Sequence, residues 1–355
     1  MRTLNRVSCL VGCLVLGAAA HSANQPAADG VLALEPSAVD SAAARQTTHR
    51  SAHMLPVASH QEHRDNTREL TGSKAANANS RAGNHAVRYI GTLTYQGGPV
   101  MQSAVEHNIY MFPSNGACPD VAACWGDPKR FLADLGQSEF IHVTDQYVGT
   151  TANGRYTVGV SGHVNYTIPS KPLVDLDIQT IVHNMVVKDG QLNGYGHEYH
   201  VFLPPGQDEC FDTTYSVCYS PDNPATFVFC AYHGSVDFPD VGHVIYSVEP
   251  WLDTPDCQAL LPDGAHFTGQ NSILSHETIE SITDPDGDAW WNASGNLDLF
   301  GYEIGDECQW ITFDSQGVPW FLFDNVYLNG RQYWIQSEYN NHANGCTDGP
   351  GPGGD

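Results

Sequence analysis

Between Asn271 and Cys308 the sequence crowds one histidine and many carboxylates into a short span. The span holds His276, Glu277 and Glu280, then Asp284, Asp286 and Asp288, a Trp290–Trp291 pair, and Glu303, Asp306 and Glu307 ahead of Cys308. Residues Ser272 to Thr283 include neither Gly nor Pro, and Asp284-Pro285 is a stop signal, which predicts a helix of about three turns. At about 100° per residue, Leu274, Ile279 and Ile282 fall on one side of that helix, and His276, Glu277 and Glu280 share one arc on the other. An imidazole and a carboxylate at i and i+4 can close on one cation at roughly 2 Å from each ligand atom. The chemistry suggested is metal-assisted hydrolysis.

The helical zinc-hydrolase pattern H-E-x-x-H uses two histidines as ligands and the glutamate as general base on activated water. Here Glu280 replaces the second histidine, which zinc accepts but which makes the site harder and more negative. The expected ligands are therefore His276, Glu280 and a third from downstream. Asp306 is preferred, because Gly305 lets the backbone turn toward a site, and Glu303 is the reserve candidate or a group orienting a ligand. Glu277 is the expected base. The plain alternative is a helix with His and Glu on its wet face. Calcium is a rival for Asp284, Asp286 and Asp288, but Ala289 and Gly295 stand where an EF-hand needs its Gly and its bidentate Glu, leaving only an irregular Ca2+ site open.

The run from Ser275 to Cys308, with its His-Glu-x-x-Glu, Asp-Pro, Ala-Trp and Glu-Ile-Gly-Asp-x-Cys landmarks, resembles the phosphate-induced/exordium family of plant secreted proteins and their bacterial relatives. Weaker likeness takes in Asn108 to Phe112, Asp127 to Leu135 and Phe227 to His233, so that it covers residues 86–346 while only 275–308 is specific. The resemblance implies an extracellular protein linked in plants to growth and cell-wall responses, with a zincin-like helix motif, and implies no particular reaction.

The elements that must position these residues alternate along the chain. Arg88 to Tyr95 and His107 to Phe112 predict strands, and Pro128 to Leu135 a helix capped by Asp127. Tyr156 to Ile168 is strand-like with Gly159 and Gly162 as interruptions, and Asp177 to Val187 predicts a helix. Tyr199 to Leu203, Thr226 to Tyr232 and His243 to Val248 predict strands, the last two as a hairpin. Past Cys308, Trp310 to Phe313, Trp320 to Phe323 and Tyr333 to Gln336 read as short antiparallel strands. The expected fold is α+β, a zincin-like mixed sheet with a metal-site helix and a C-terminal antiparallel region. If its strand lies alongside the helix, His233 is placed to stabilise an oxyanion.

Residues 1–23 read as a signal peptide, with Arg2 and Arg6 before an apolar run too short to span a bilayer. Residues 24–85 are polar and aperiodic, predicting a disordered linker or a propeptide. A single domain follows over 86–346, then a Gly/Pro tail over 347–355. Up to Ile90 there are nine Lys or Arg and six Asp or Glu, and beyond it six and 34, so the folded part is strongly acidic. Nucleic acid and anionic membrane are thereby disfavoured as partners. Eight cysteines outside the signal predict disulfides, paired between sequence neighbours as 118–124, 210–218, 230–257 and 308–346, which also argues against Cys230 as a nucleophile with His233 as its base. The expectation is a secreted or periplasmic Zn2+ hydrolase, peptidase-like, acting on a peptide or cell-wall-associated substrate. The alternative is a non-catalytic extracellular binding or signalling protein with a structural Zn2+ or Ca2+.

Overall fold

A computed structural model describes residues 31–34, 48–57, 92–252, 254–257, 266–294, 300–309, 311–313, 319–321 and 323–351. The signal segment, most of 24–85, the start of the first predicted strand and the end of the Gly/Pro tail lie outside the described residues. The fold is mixed α+β around an eight-stranded sheet. Its strands are β1 (Val31–Leu34), β2 (Thr48–Pro56), β3 (Ala104–Pro113), β4 (Tyr156–Val158), β5 (Ser161–Tyr166), β6 (His197–Phe202), β7 (Phe229–Phe238) and β8 (Gly242–Glu249). They run in the order β1-β5-β3-β6-β8-β7-β2, with β4 also paired to β3. From β1 to β8 the neighbours are parallel; β7 is antiparallel to β8, and β2 is antiparallel to β7.

Three helices flank the sheet: α1 (Pro128–Leu135), α2 (Asp175–Lys188) and α3 (His266–Thr283). The Asp127 carboxylate caps α1 by accepting from Arg130 N, as its sequence signal predicts. Helix α3 stops at Thr283, before Asp284-Pro285, and begins several residues earlier than the local signals suggest. The hairpin β7–β8 is present but longer than its apolar run. Glycine interrupts the 156–168 strand at Gly159 alone, where a Cβ would collide with the His107 ring; Gly162 stays inside β5.

The polar stretch read as disordered carries two of the sheet's strands, which corrects that expectation for residues 31–34 and 48–57. Too few large apolar side chains argued for disorder. An edge strand, however, gains its place from backbone pairing to an existing ladder, which a polar sequence supplies as well as an apolar one. Leu55 and Val57 are its buried anchors.

All four predicted disulfides are formed. Cys230–Cys257 ties β7 to the turn ahead of α3, and Cys308–Cys346 ties the bend bearing Asp306 to the last hairpin, Glu338–Asn340 with Gly345–Thr347. Short antiparallel pairs also join Ile311–Phe313 to Pro319–Phe321 and Asp324–Leu328 to Arg331–Ile335. No described helix is long and apolar enough to cross a membrane.

Period-two alternation divides the sheet's side chains. Ile109, Met111, Val201, Val244 and Val248 join α2 residues Ile178, Val182, Met185 and Val186 in one apolar core. Toward α3 the same strands turn a polar row. Asn108, His200, Ser247, His233 and His53 are paired in register across β3, β6, β8, β7 and β2.

Candidate metal centre

Helix α3 lies over that row, and the apolar arc read from the sequence does its expected work: Leu274, Ile279 and Ile282 pack with Phe131, Leu135 and Ile304. The other arc is not wet. His276, Glu277 and Glu280 are fully buried, which removes the reading of an ordinary solvent-facing helix side. A buried histidine with buried carboxylates requires pairing, protons or a cation.

His276 Nε2 lies 3.1 Å from Glu280 Oε2 and 3.9 Å from Asp306 Oδ1, so the imidazole faces both carboxylates. The backbone N–H groups of Gly305 and Asp306 both donate to Glu280 Oε1, leaving Oε2 for the centre. His276 Nδ1 donates to Gln336 Oε1 at 3.3 Å, and Gln336 is itself held by its Nε2 donating to Gly305 O at 2.8 Å. That bond fixes the imidazole so that Nε2 points at the carboxylates. Gly305 matters by a route other than the one its type suggests. Its φ is −76°, available to any residue, but a Cβ there would run into His276 Nδ1. The requirement is clearance, not a turn.

Glu303 and His233 complete the wall. His233 Nδ1 is 3.1 Å from Glu277 Oε2 and 3.7 Å from Glu280 Oε2, while its Nε2 is 3.6 Å from Glu303 Oε2 and 3.4 Å from Asp284 O. Burial and the neighbouring His53 hold the His233 imidazole down to about 3, so it is neutral at pH 7. Asp284 O can only accept, so the consistent assignment has Nε2–H donating to it and Nδ1 accepting from a protonated Glu277. Burial, with Glu280 and Glu249 nearby, pushes the Glu277 carboxyl well above the usual range, in keeping with that proton. With both nitrogens so engaged, His233 acts on the carboxylates beside it and offers no N–H for an oxyanion.

His53 is a residue that sequence reading sets aside, because with His49, His60 and His63 it is too loosely clustered along the chain to mark a metal site. Strand β2 places it directly opposite His233, with Nδ1 3.1 Å from Glu303 Oε1 and Nε2 2.6 Å from Asp306 Oδ2. Burial would lower its imidazole, but Asp306 beside it, with Glu280 and Asp284, raises it to about 9. The same partnership holds Asp306 below its ordinary value despite burial, whereas burial and the surrounding carboxylates push Glu303 well up. His53 side chain is 22% exposed against 5% or less for Asp306, Glu303, His233 and His276, so β2 closes the centre from solvent.

The donor set fits a cation. His276 Nε2, Glu277 Oε1, Glu280 Oε2 and Glu303 Oε2 are buried without a hydrogen-bond partner. Two groups with mutual ligand distances under 4.8 Å, His53–Glu280–Asp306 and His233–Glu280–Glu303, share Glu280. In the neighbouring acidic loop Asp284 Oδ1 accepts from Ala289 N while its Oδ2 is buried without a hydrogen-bond partner, and Asp286 accepts from Ser235 and Tyr195 hydroxyls.

No family model and no curated protein matches the chain. Among solved structures, a chain from a chaperone–substrate complex aligns at 12% identity with a TM-score of 0.26, covering 72% of this chain and 37% of its own length, a likeness too slight to carry an argument.

Proposed function

We propose that the protein is a secreted zinc-dependent hydrolase, peptidase-like in mechanism, whose centre is closed by the strand carrying His53. The observation that carries this reading is the convergence of His276 Nε2 on Glu280 Oε2 and Asp306 with Nδ1 held by Gln336, the support that catalytic and structural zinc histidines share. The zincin-like aspect rests on α3 lying beside an antiparallel strand near the sheet edge, and the resemblance of 275–308 to the exordium family points the same way. Four disulfides suit an oxidising exterior.

His276, Glu280 and Asp306 would hold Zn2+, with Glu303 beside them. A bound zinc supplies Lewis acidity toward a carbonyl and toward water. Glu277, whose raised carboxyl keeps a proton at neutral pH, would act as proton donor, and as base only after passing that proton on. His233 fixes its orientation at 3.1 Å. Gln336 keeps the His276 tautomer.

A catalytic zinc keeps one position free of protein, whereas a structural zinc is fully enclosed. His53, hydrogen-bonded through Nε2 to Asp306, stands where it would close that position, which supports two readings: an enzyme kept latent by β2, or a non-catalytic protein with a structural metal. One experiment separates them. Metal content and hydrolysis of a quenched peptide library are measured for wild type, His53→Ala and Glu277→Gln in the His53→Ala background. Zinc at one or more per chain, with cleavage that rises at least tenfold in His53→Ala and is abolished by Glu277→Gln, is the expected result. Cleavage absent from all three, with His53→Ala losing stability, supports the structural reading.

A further inference from the structure

The polar face of the sheet continues past the zinc ligands. Glu106 and Glu198 stand opposite each other on β3 and β6, and His200, two residues beyond Glu198, shares their face. Ser247 is opposite His200 on β8, and Glu249 follows two residues later. His200 Nε2 is 3.2 Å from Glu106 Oε2, and Nδ1 is 3.9 Å from Glu198 Oε1. Ligand atoms of Glu106, Glu198 and His200 all lie within 4.8 Å of one another, and no member of the group, Glu249 included, is more than 2% exposed.

Hydrogen-bond directions fix the imidazole. The Ser247 hydroxyl donates to Glu249 Oε1 at 2.9 Å, so its oxygen is left to accept from His200 Nδ1–H at 2.8 Å. His200 Nε2 then faces Glu106 Oε2 within hydrogen-bond distance at 3.2 Å, a contact that needs a proton or a cation between the two atoms. Both oxygens of Glu198, Oε1 of Glu106 and Oε2 of Glu249 are buried with no well-formed hydrogen bond, the polar neighbours of Glu198 being the Ser281 hydroxyl on α3 and Glu106. Unpaired buried carboxylates are costly, and protons shared among three of them with a single imidazole leave oxygens unsatisfied. His276 shows the same construction, with Nδ1 anchored to protein and Nε2 turned to carboxylates.

We infer that Glu106, Glu198 and His200, with Glu249 alongside, form a second divalent-cation site whose ligands are separate from those of the His276 centre. One imidazole with several carboxylate oxygens suits a transition ion of the Mn2+ kind. Glu277 feels the charge of Glu280 and Asp306 in the first set and of Glu249 and Glu198 in the second.

The test uses protein unfolded in guanidinium with its disulfides intact, stripped with EDTA, refolded with Mn2+ and desalted. Glu280→Gln, with the first centre impaired, is expected to retain one Mn2+ equivalent, and Glu198→Gln to retain one fewer than wild type. An anomalous-scattering peak is expected within about 2.5 Å of His200 Nε2 in crystals of the refolded wild type. A Glu198→Gln variant that keeps the full wild-type count, or a wild type with no Mn2+, overturns the inference and leaves shared protons as the explanation. If Glu198→Gln does not refold, the wild-type anomalous map decides, and no peak at His200 overturns the site. Zinc content of Glu280→Gln reads the first centre independently, so failure of one is told from failure of the other.

Discussion

Toward α2 the central strands turn Ile109, Met111, Val201, Val244 and Val248, and the helix answers with Ile178, Val182, Met185 and Val186. Toward α3 the same strands turn Glu106, His200, Ser247, Glu249 and His233, and that helix answers with His276, Glu277 and Glu280. Both interfaces are dry. On the first, burial of apolar surface holds the layers together, and of the acids present Asp175 accepts from the hydroxyls of Tyr232 and Tyr246 and Glu209 from that of Tyr232. On the second, burial opposes ionisation, and cohesion depends on whatever neutralises the carboxylates. One sheet thus divides its labour: one face supplies stability and the other holds a costly cluster of buried ionisable groups in place.

Exchanging the characters of the two faces should produce the largest effect. Val182→Asp places an unpaired charge in the apolar layer and should cost more than about 4 kcal/mol, read as failure to fold or a large fall in urea midpoint. Glu277→Gln on the opposite face should leave the fold in place. Opening Cys308–Cys346 by a double Ser substitution should cost about 3 to 4 kcal/mol and lower zinc affinity, since it frees the bend that carries Asp306. Opening Cys118–Cys124, whose loop is far shorter, should cost less and leave metal binding unchanged.

Acidity offers a third comparison. Burial raises Glu249 and Asp284 to about 7 each, against unfolded values near 4. A carboxyl raised by folding binds its proton more tightly in the native state, so its contribution is complete below pH 4 and is lost as pH climbs to 7. Metal-free protein should therefore lose on the order of 3 kcal/mol per group between pH 4.5 and 7.5, measured by denaturant titration in EDTA. Divalent ions should remove that decline. The smallest effect is expected from Gln336→Met, which frees the His276 ring: a fall of about 10- to 100-fold in zinc affinity with little change in unfolding midpoint.

What the sequence made readable was local. The Asp127 cap, the stop at Asp284-Pro285 and the apolar arc of α3 are signals contained within a few residues, and the cysteine pairings follow from short separations. The convergence of Asp306 on His276 was within reach because one helix and one nearby bend supply it. His53 was not, because it meets Asp306 across 253 residues and arrives on an edge strand whose composition resembles a linker. Glu106, Glu198, His200 and Glu249 were equally hidden. Alternating polar positions in a strand normally announce a solvated face, and only the layer laid over them by α3 turns that pattern into a buried site.

Strand β2 is joined to the body by a ladder of main-chain bonds to β7, quite apart from the peptide that links it onward. A protease cutting anywhere between residues 58 and 91 would yield two fragments that still migrate as one particle through a sizing column and part only under denaturant. Cleavage and release are consequently distinct events, and the interval between them would lengthen with anything that grips the imidazole at position 53.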